Sequence, residues 1–214
     1  GRNGAGKTTT MRILAGESEP YAGTIMRTGD VGYLPQDPRE GDLDILARDR
    51  VLSARGLDTL LADLEKQQAL MAEVVDEAAR DKAIRRYGHL EERFAALGGY
   101  AAESEAGRIC SSLGLPERVL TQQLRTLSGG QRRRVELARI LFGAADGAAG
   151  SSSSATLLLD EPTNHLDADS IGWLRDFLKS HTGGLVTISH NAELLADVVN
   201  RVWLPDAVRG EADV

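Results

Sequence analysis

The first residues of the chain already carry a chemistry. Gly1-Arg2-Asn3-Gly4-Ala5-Gly6-Lys7-Thr8 places glycines where backbone N–H groups must come close to phosphate oxygens, since a residue without a Cβ leaves that approach open. Lys7 supplies a cation for outer phosphates, and the Thr8 hydroxyl is a ligand suited to Mg²⁺. From Thr8 a helix is expected, with its unpaired N–H groups and positive dipole end aimed at the same anion. Gly1, Asn3, Gly4, Ala5, Gly6, Lys7, Thr8 and Thr9 are therefore the candidate phosphate-binding residues. A glycine turn ahead of a helix is the plainer alternative.

Two further constellations lie far downstream. In Thr156-Leu157-Leu158-Leu159-Asp160-Glu161 an apolar strand ends in paired carboxylates, and ligands bind at that end of a parallel sheet. Asp160 would hold Mg²⁺ directly or through water. Glu161, one residue on, leaves the strand axis and can polarise a water that attacks a terminal phosphate. Leu127-Ser128-Gly129-Gly130-Gln131, ahead of the helical run Arg132 to Leu141, is again a helix start with exposed N–H groups that favour an anion. A serine N-cap with a glycine turn accounts for the helix start alone. His190 follows Ile188-Ser189 at another strand end, which favours a role at the same edge.

These groups need a frame. The 214 residues, 42% hydrophobic and 27% charged, fit one domain able to bury a sizeable core. The apolar runs Thr156 to Leu159 and Leu185 to Ser189 read as buried parallel strands with a helix, Ser170 to Ser180, between them. Gly23 to Met26 and Asp30 to Leu34 read as short strands, the second stopped by Pro35 and Pro38. Thr8 to Ala15 reads as a helix ended by Gly16. Strands alternating with helices give an α/β fold with a parallel sheet core.

From about residue 41 to 127 the pattern is helical. Leu57, Leu61, Leu64, Gln68, Met71, Val75 and Ala78 form one stripe, and Ile84, Tyr87, Leu90, Phe94, Leu97 and Ala101 another. A helical hairpin would bury both, as ordinary core or as a projecting arm. Neither Gly nor Pro marks its turn within Ala79 to Ala83. Gly143 to Ala155, mostly Gly, Ala and Ser, is expected to be a flexible loop. Arg132, Arg133 and Arg134 are expected on the solvated face of their helix, with RNA phosphates as the less favoured reading. Trp173 and Trp203 read as core or edge residues, and His165 as a packing or interface residue.

A net charge of −7 and a pI near 5.2 argue against a protein held to nucleic acid by its whole surface, so any RNA contact must be local. No apolar run approaches the ~18 residues of a membrane span. Cys110, the single cysteine, is expected to be a packed thiol, and a cytoplasmic setting follows. The chain opens directly on its phosphate loop, where a strand should come first, and stops soon after Trp203. It is read as a fragment lacking its N-terminal strands.

Leu127 to Gln131, with the phosphate loop and the carboxylate pair, resembles the ATP-binding cassette family of P-loop NTPases. The resemblance implies ATP and Mg²⁺ as ligands, an inserted helical subdomain, and ATP hydrolysis; it further implies that the fragment holds one cassette, lacks the family's adenine-stacking aromatic and falls short of full ATP affinity. Ser128, Gly129, Gly130 and Gln131 would close over ATP held by a second cassette, in the same complete chain or in a dimer. Gln36, in Gly32-Tyr33-Leu34-Pro35-Gln36, resembles the Q-loop glutamine that contacts Mg²⁺ or the attacking water. His190 resembles the switch histidine at the γ-phosphate, and Asp167 the D-loop aspartate of the dimer interface. Asp160-Glu161-Pro162-Thr163-Asn164-His165-Leu166-Asp167 and the long helical insertion resemble the ABC-F branch. That branch implies a cytoplasmic protein acting on the ribosome and its rRNA, in translation regulation or antibiotic resistance. Asn191-Ala192-Glu193 stands where the branch usually has an Asp-Arg pair. The motor of a membrane exporter, and a remnant that binds ATP without turnover, are the alternatives.

Overall fold

A computed structural model of the chain describes residues 6–36, 42–145 and 155–202. The described sheet has three strands, β1 (Val31–Leu34), β2 (Thr156–Asp160) and β3 (Leu185–Ile188), parallel throughout and in that order. β2 lies in the middle, and Leu157, Leu158, Leu159 and Asp160 are all buried whichever face they point to. That explains the unbroken apolar run, since a strand covered on both faces has no reason to alternate. The register pairs Leu34 with Leu159 and Asp160 with Ile188. The three strands therefore end almost level, and the residues after them emerge along one edge.

Helix α1 (Lys7–Ala15) lies against β1 and β2 with Met11 as its buried anchor. It stops at Gly16, whose left-handed φ of 83° turns the Glu17 N–H back to Arg12 O at 2.8 Å, while the Gly16 N–H donates to Ile13 O at 3.1 Å. Arg27 covers the same end, donating to the carbonyls of Leu14 and Ile13 at 2.8 and 2.7 Å, where the helix dipole favours a cation. The segment expected as a first strand, Gly23 to Met26, is irregular, and Met26 is exposed. Gly23 sits at φ 89°, and no described strand lies beside the segment to give it a ladder.

The helices that follow are α2 (Ala47–Leu52), α3 (Leu57–Glu73), α4 (Glu77–Ala96), α5 (Gly99–Ser112), α6 (Glu117–Leu120) and α7 (Gly129–Ala144). α3 and α4 form the expected hairpin, but the turn is at Val74-Val75-Asp76. It has no glycine because none is needed: Val74 is extended, and Asp76 starts α4 by accepting a bond from the Ala79 N–H at 2.9 Å. The stripes hold in part, since Leu61, Leu64 and Leu97 pack against the core as expected. Leu57, Leu60 and Gln67 are the buried residues of α3, whereas Gln68, Val75 and Ala78 are exposed. In α4, Leu90 and Phe94 are buried, while Ile84 is exposed and Ala101 belongs to α5. A periodic reading that runs through a turn assigns the wrong phase beyond it.

The hairpin base joins one core with α2, α5 and α7, through Leu57, Leu60, Leu90, Phe94, Ile109 and Leu141 among others. Cys110 is buried there, and burial pushes its thiol up to about 12. It is a packed residue and poorly nucleophilic. α8 (Ala168–Ser180) connects β2 to β3 and α9 (Ala192–Val198) follows β3. Trp173 is half-buried on α8 with its ring 5.5 Å from that of Phe177. Of the expected loop Gly143 to Ala155, Gly143 and Ala144 still belong to α7, Ala145 and Ala155 flank it, and 146–154 lie outside the described residues, as does Trp203.

α7 meets β1 so closely that Gly32 has no room for a side chain. A Cβ there would lie 2.9 Å from Ile140 Cγ2 and 3.1 Å from Leu157 Cδ2. Gly32→Val is expected to destabilise the protein by about 1–3 kcal/mol through overpacking. A lowered midpoint in urea unfolding checks this, and an unchanged midpoint would show that the contact yields.

Candidate active site

Four chain segments meet at the level edge of the sheet. Gly6, left-handed at φ 72°, is the N-cap of α1 and accepts the Thr10 N–H at 2.9 Å. Lys7, Thr8 and Thr9 follow in the first turn, at the end of the helix whose dipole favours an anion. Gly1, Asn3, Gly4 and Ala5 lie outside the described residues. From α1 the Thr8 Oγ1 donates to Asp160 Oδ2 at 2.9 Å, although the two residues are far apart in sequence.

That pair fits a shared Mg²⁺. Both are hard oxygen donors, and two ligands at right angles on an octahedral ion, each about 2.1 Å away, are about 3 Å apart. Among the described residues no cluster of three or more His, Cys, Asp or Glu side chains forms a metal cage. A divalent ion here would depend on phosphate oxygens for the rest of its shell, as Mg²⁺ commonly does.

Beyond Asp160 the chain makes an unusual turn. Glu161 has φ 49° and His165 has φ 68°, both left-handed without being glycine. Such a residue is held against its own preference, at a cost of order 1 kcal/mol or more. The turn is fastened by the Glu161 N–H to Ile188 O at 2.7 Å and the Asn164 N–H to Glu161 O at 3.2 Å. It buries the Glu161 side chain beside the next strand end, where Oε2 accepts the His190 N–H at 3.1 Å and Oε1 lies 3.4 Å from His190 Nε2. His190 itself is exposed. It is kept outside α9 by Asn191, which caps that helix by accepting the Leu194 N–H at 2.8 Å, so the departure at Asn191 has a structural use.

Gln36 follows β1 at the same edge, with its side chain exposed and its carbonyl held. The group that holds it is Arg133, the residue that sequence reasoning misplaced. Arg133 is buried, and not on a solvated face. It donates to the carbonyls of Pro35 (2.8 Å), Gln36, Asp160 (2.5 Å) and Glu161 (3.0 Å). The run of three arginines concealed a readable signal: Arg133 is four residues before Leu137 and seven before Ile140, on the buried stripe of α7. Arg132 and Arg134 are also partly covered, and Arg134 donates to Gly114 O at 2.8 Å.

The other candidates sit at helix starts. Ser128 caps α7, accepting the Gln131 N–H at 3.2 Å while Gln131 Oε1 accepts the Ser128 N–H at 2.9 Å. This reciprocal arrangement stabilises a helix N-terminus. A Cβ on Gly129 would meet nothing within 4 Å, and one on Gly130 would only touch His165 at 3.5 Å. Asp167 is exposed and caps α8 by accepting the Ser170 N–H at 2.8 Å. The backbone and hydroxyl of Ser170, with Arg134 nearby, hold its carboxyl below the usual range.

Comparison with known proteins extends this geometry. Residues 1–164 match the family model described as ABC transporter. The tylosin resistance ATP-binding protein TlrC of Streptomyces fradiae is 38% identical over 91% of this chain and 34% of its own length. The energy-dependent translational throttle protein EttA of Escherichia coli K12 is 36% identical over 99% of this chain and 36% of its own. The chain thus spans about a third of the length of the curated relatives it matches. Among solved structures, an ATP binding subunit of an ABC transporter matches with a TM-score of 0.59 and 18% identity, covering 92% of this chain and 68% of that one. That likeness shows the fold alone.

Proposed function

Because the chain belongs to the ABC transporter family, we propose that it works as an ATP-hydrolysing cassette of the ABC-F type, acting in the cytoplasm on the ribosome. The observation that carries the ATPase reading is the level sheet edge, where Thr8 meets Asp160 and Glu161 meets His190 across three chain segments. Phosphates would lie on the first turn of α1, with Lys7 neutralising their charge. Mg²⁺, held by Thr8 and Asp160 and reached by Gln36, would withdraw charge from the β- and γ-phosphates. Glu161 orients the attacking water and takes its proton, and His190 touches the γ-phosphate from the end of β3.

Ser128 to Gln131 would serve the ATP of a second cassette. Glycines in a helix turn are costly by about 1 kcal/mol each relative to alanine. Among the described residues nothing requires Gly129 or Gly130 for space. Their smallness is then for something that approaches from outside, such as a phosphate. Asp167, exposed at the start of α8 two residues after the His165 that lies against Gly130, would line the same interface.

The ribosome reading is supported by the names of two relatives, a tylosin resistance protein and a translational throttle protein, together with the run Asp160 to Asp167. Among the described residues no helix is long and apolar enough to cross a membrane. The test is co-sedimentation of the complete protein, carrying Glu161→Gln, with ribosomes. Association that requires ATP is expected. Absence of any ATP-dependent association would overturn the ribosome role and leave an exporter motor as the reading to examine.

A further inference from the structure

Arg133 makes contacts that the ATPase reading does not use. A guanidinium with 5% exposure is costly to bury unless its donors are occupied. Here its Nη1 and Nη2 groups donate to four main-chain carbonyls on two separate loops: Pro35 and Gln36 after β1, and Asp160 and Glu161 after β2. One planar side chain with donors in a fixed fork spans both loops at once, which a lysine ammonium cannot reproduce.

The loops it joins carry the residues that handle the water and the metal. Glu161 is the first of the two left-handed residues of the turn, and its carboxylate direction toward His190 depends on that backbone. Holding the Asp160 and Glu161 carbonyls fixes the turn at the point where it is least favoured by itself. Gln36 is tied into the same grip through its carbonyl, so its exposed side chain starts from a fixed backbone.

Arg133 also stands on the helix that begins with Ser128. About one turn of α7 separates the exposed Ser128-Gly129 end from the guanidinium. The rest of α7 is locked into the core by Val135, Leu137, Ile140 and Leu141. A push or pull at its first turn thus has a short rigid path to the two loops.

Resting on the cassette reading above, we infer that Arg133 is a positioning residue, which links the partner-facing start of α7 to Gln36 and Glu161 of its own ATP site. ATP engaged by Ser128 to Gly130 on one cassette is reported, through this guanidinium, to the water-orienting groups of the same chain. The link gives two composite sites a physical reason to fire together.

The experiment uses the complete protein and compares wild type, Arg133→Lys and Arg133→Met for ATP turnover, binding of a fluorescent ATP analogue, and thermal melting. Arg133→Lys keeps the charge and is the variant expected to stay folded. Its analogue affinity should remain within about twofold of wild type. Its kcat should fall by about 10²-fold, the effect of misplacing a catalytic group by about 1 Å, and turnover should lose its cooperativity in ATP. A kcat within about twofold of wild type in Arg133→Lys overturns the inference. So does a loss of kcat matched by an equal loss of affinity and a lowered melting temperature, which marks a merely structural contact. If Arg133→Met does not fold, Arg133→Lys decides by the same readings. A wild-type protein without turnover overturns both this inference and the ATPase reading, whereas wild-type turnover with an unaffected Arg133→Lys overturns the inference alone.

Discussion

Glu161→Gln is expected to leave ATP bound and to lower turnover by about 10²–10⁴-fold, the range supplied by a positioned general base. The substitution keeps the shape of a side chain that is 10% exposed and bonded to the His190 N–H at 3.1 Å. The amide oxygen of glutamine can accept that same bond, so the left-handed turn at Glu161 keeps its fastening. What the amide cannot do is take a proton from water. Binding measured by a fluorescent ATP analogue should therefore stay within a few-fold of wild type, while phosphate release stops. Lys7→Ala is the contrasting variant, because it removes a cation from the phosphates at the start of α1 and leaves the base in place. It should weaken binding first. Equal loss of binding in both variants would contradict the separate roles given to Lys7 and Glu161.

The sequence made the edge of the site readable because its chemistry lies at element ends. Asp160 and Glu161 close an apolar run, His190 closes another, and Lys7 and Thr8 open a helix; in each case the period of the run tells where the end must be. What it left unreadable was how the ends align. The pairing of Leu34 with Leu159 and of Asp160 with Ile188 is a property of the sheet, and it brings Gln36, Glu161 and His190 to one edge. Arg133 failed for another reason. An arginine in a run of three is ordinarily solvated, and its burial follows only once two loops offer it carbonyls. The hairpin turn was missed because Asp76 makes it by capping, and the strand expected at Gly23 to Met26 because a strand needs a partner that short-range pattern cannot show. The ABC-F resemblance rested on Asp160 to Asp167, and the resistance and translation proteins among the relatives agree with it.

Ser128→Arg should abolish cooperative ATP turnover in the complete protein, by about 10²-fold or more, the scale on which single electrostatic contacts act in a transition state. Two effects of the substitution must be separated. Ser128 caps α7, and losing that hydroxyl costs about 0.5–2 kcal/mol of stability. Ser128→Ala carries this cost without adding bulk, so its melting temperature measures the cap alone. Ser128→Asn restores a capping side chain and should recover stability. Arginine adds a long side chain at an exposed helix start, beside two glycines that leave open space around Gly129. If that space receives the partner's γ-phosphate, filling it prevents closure whatever the cap contributes. Analogue binding to the variant's own phosphate loop should persist, because Gly6 and the first turn of α1, Lys7 to Thr9, are not touched. Unchanged cooperative turnover in Ser128→Arg would mean that the two cassettes do not share ATP across this helix, and Ser128 to Gln131 would then be a capping box and nothing more.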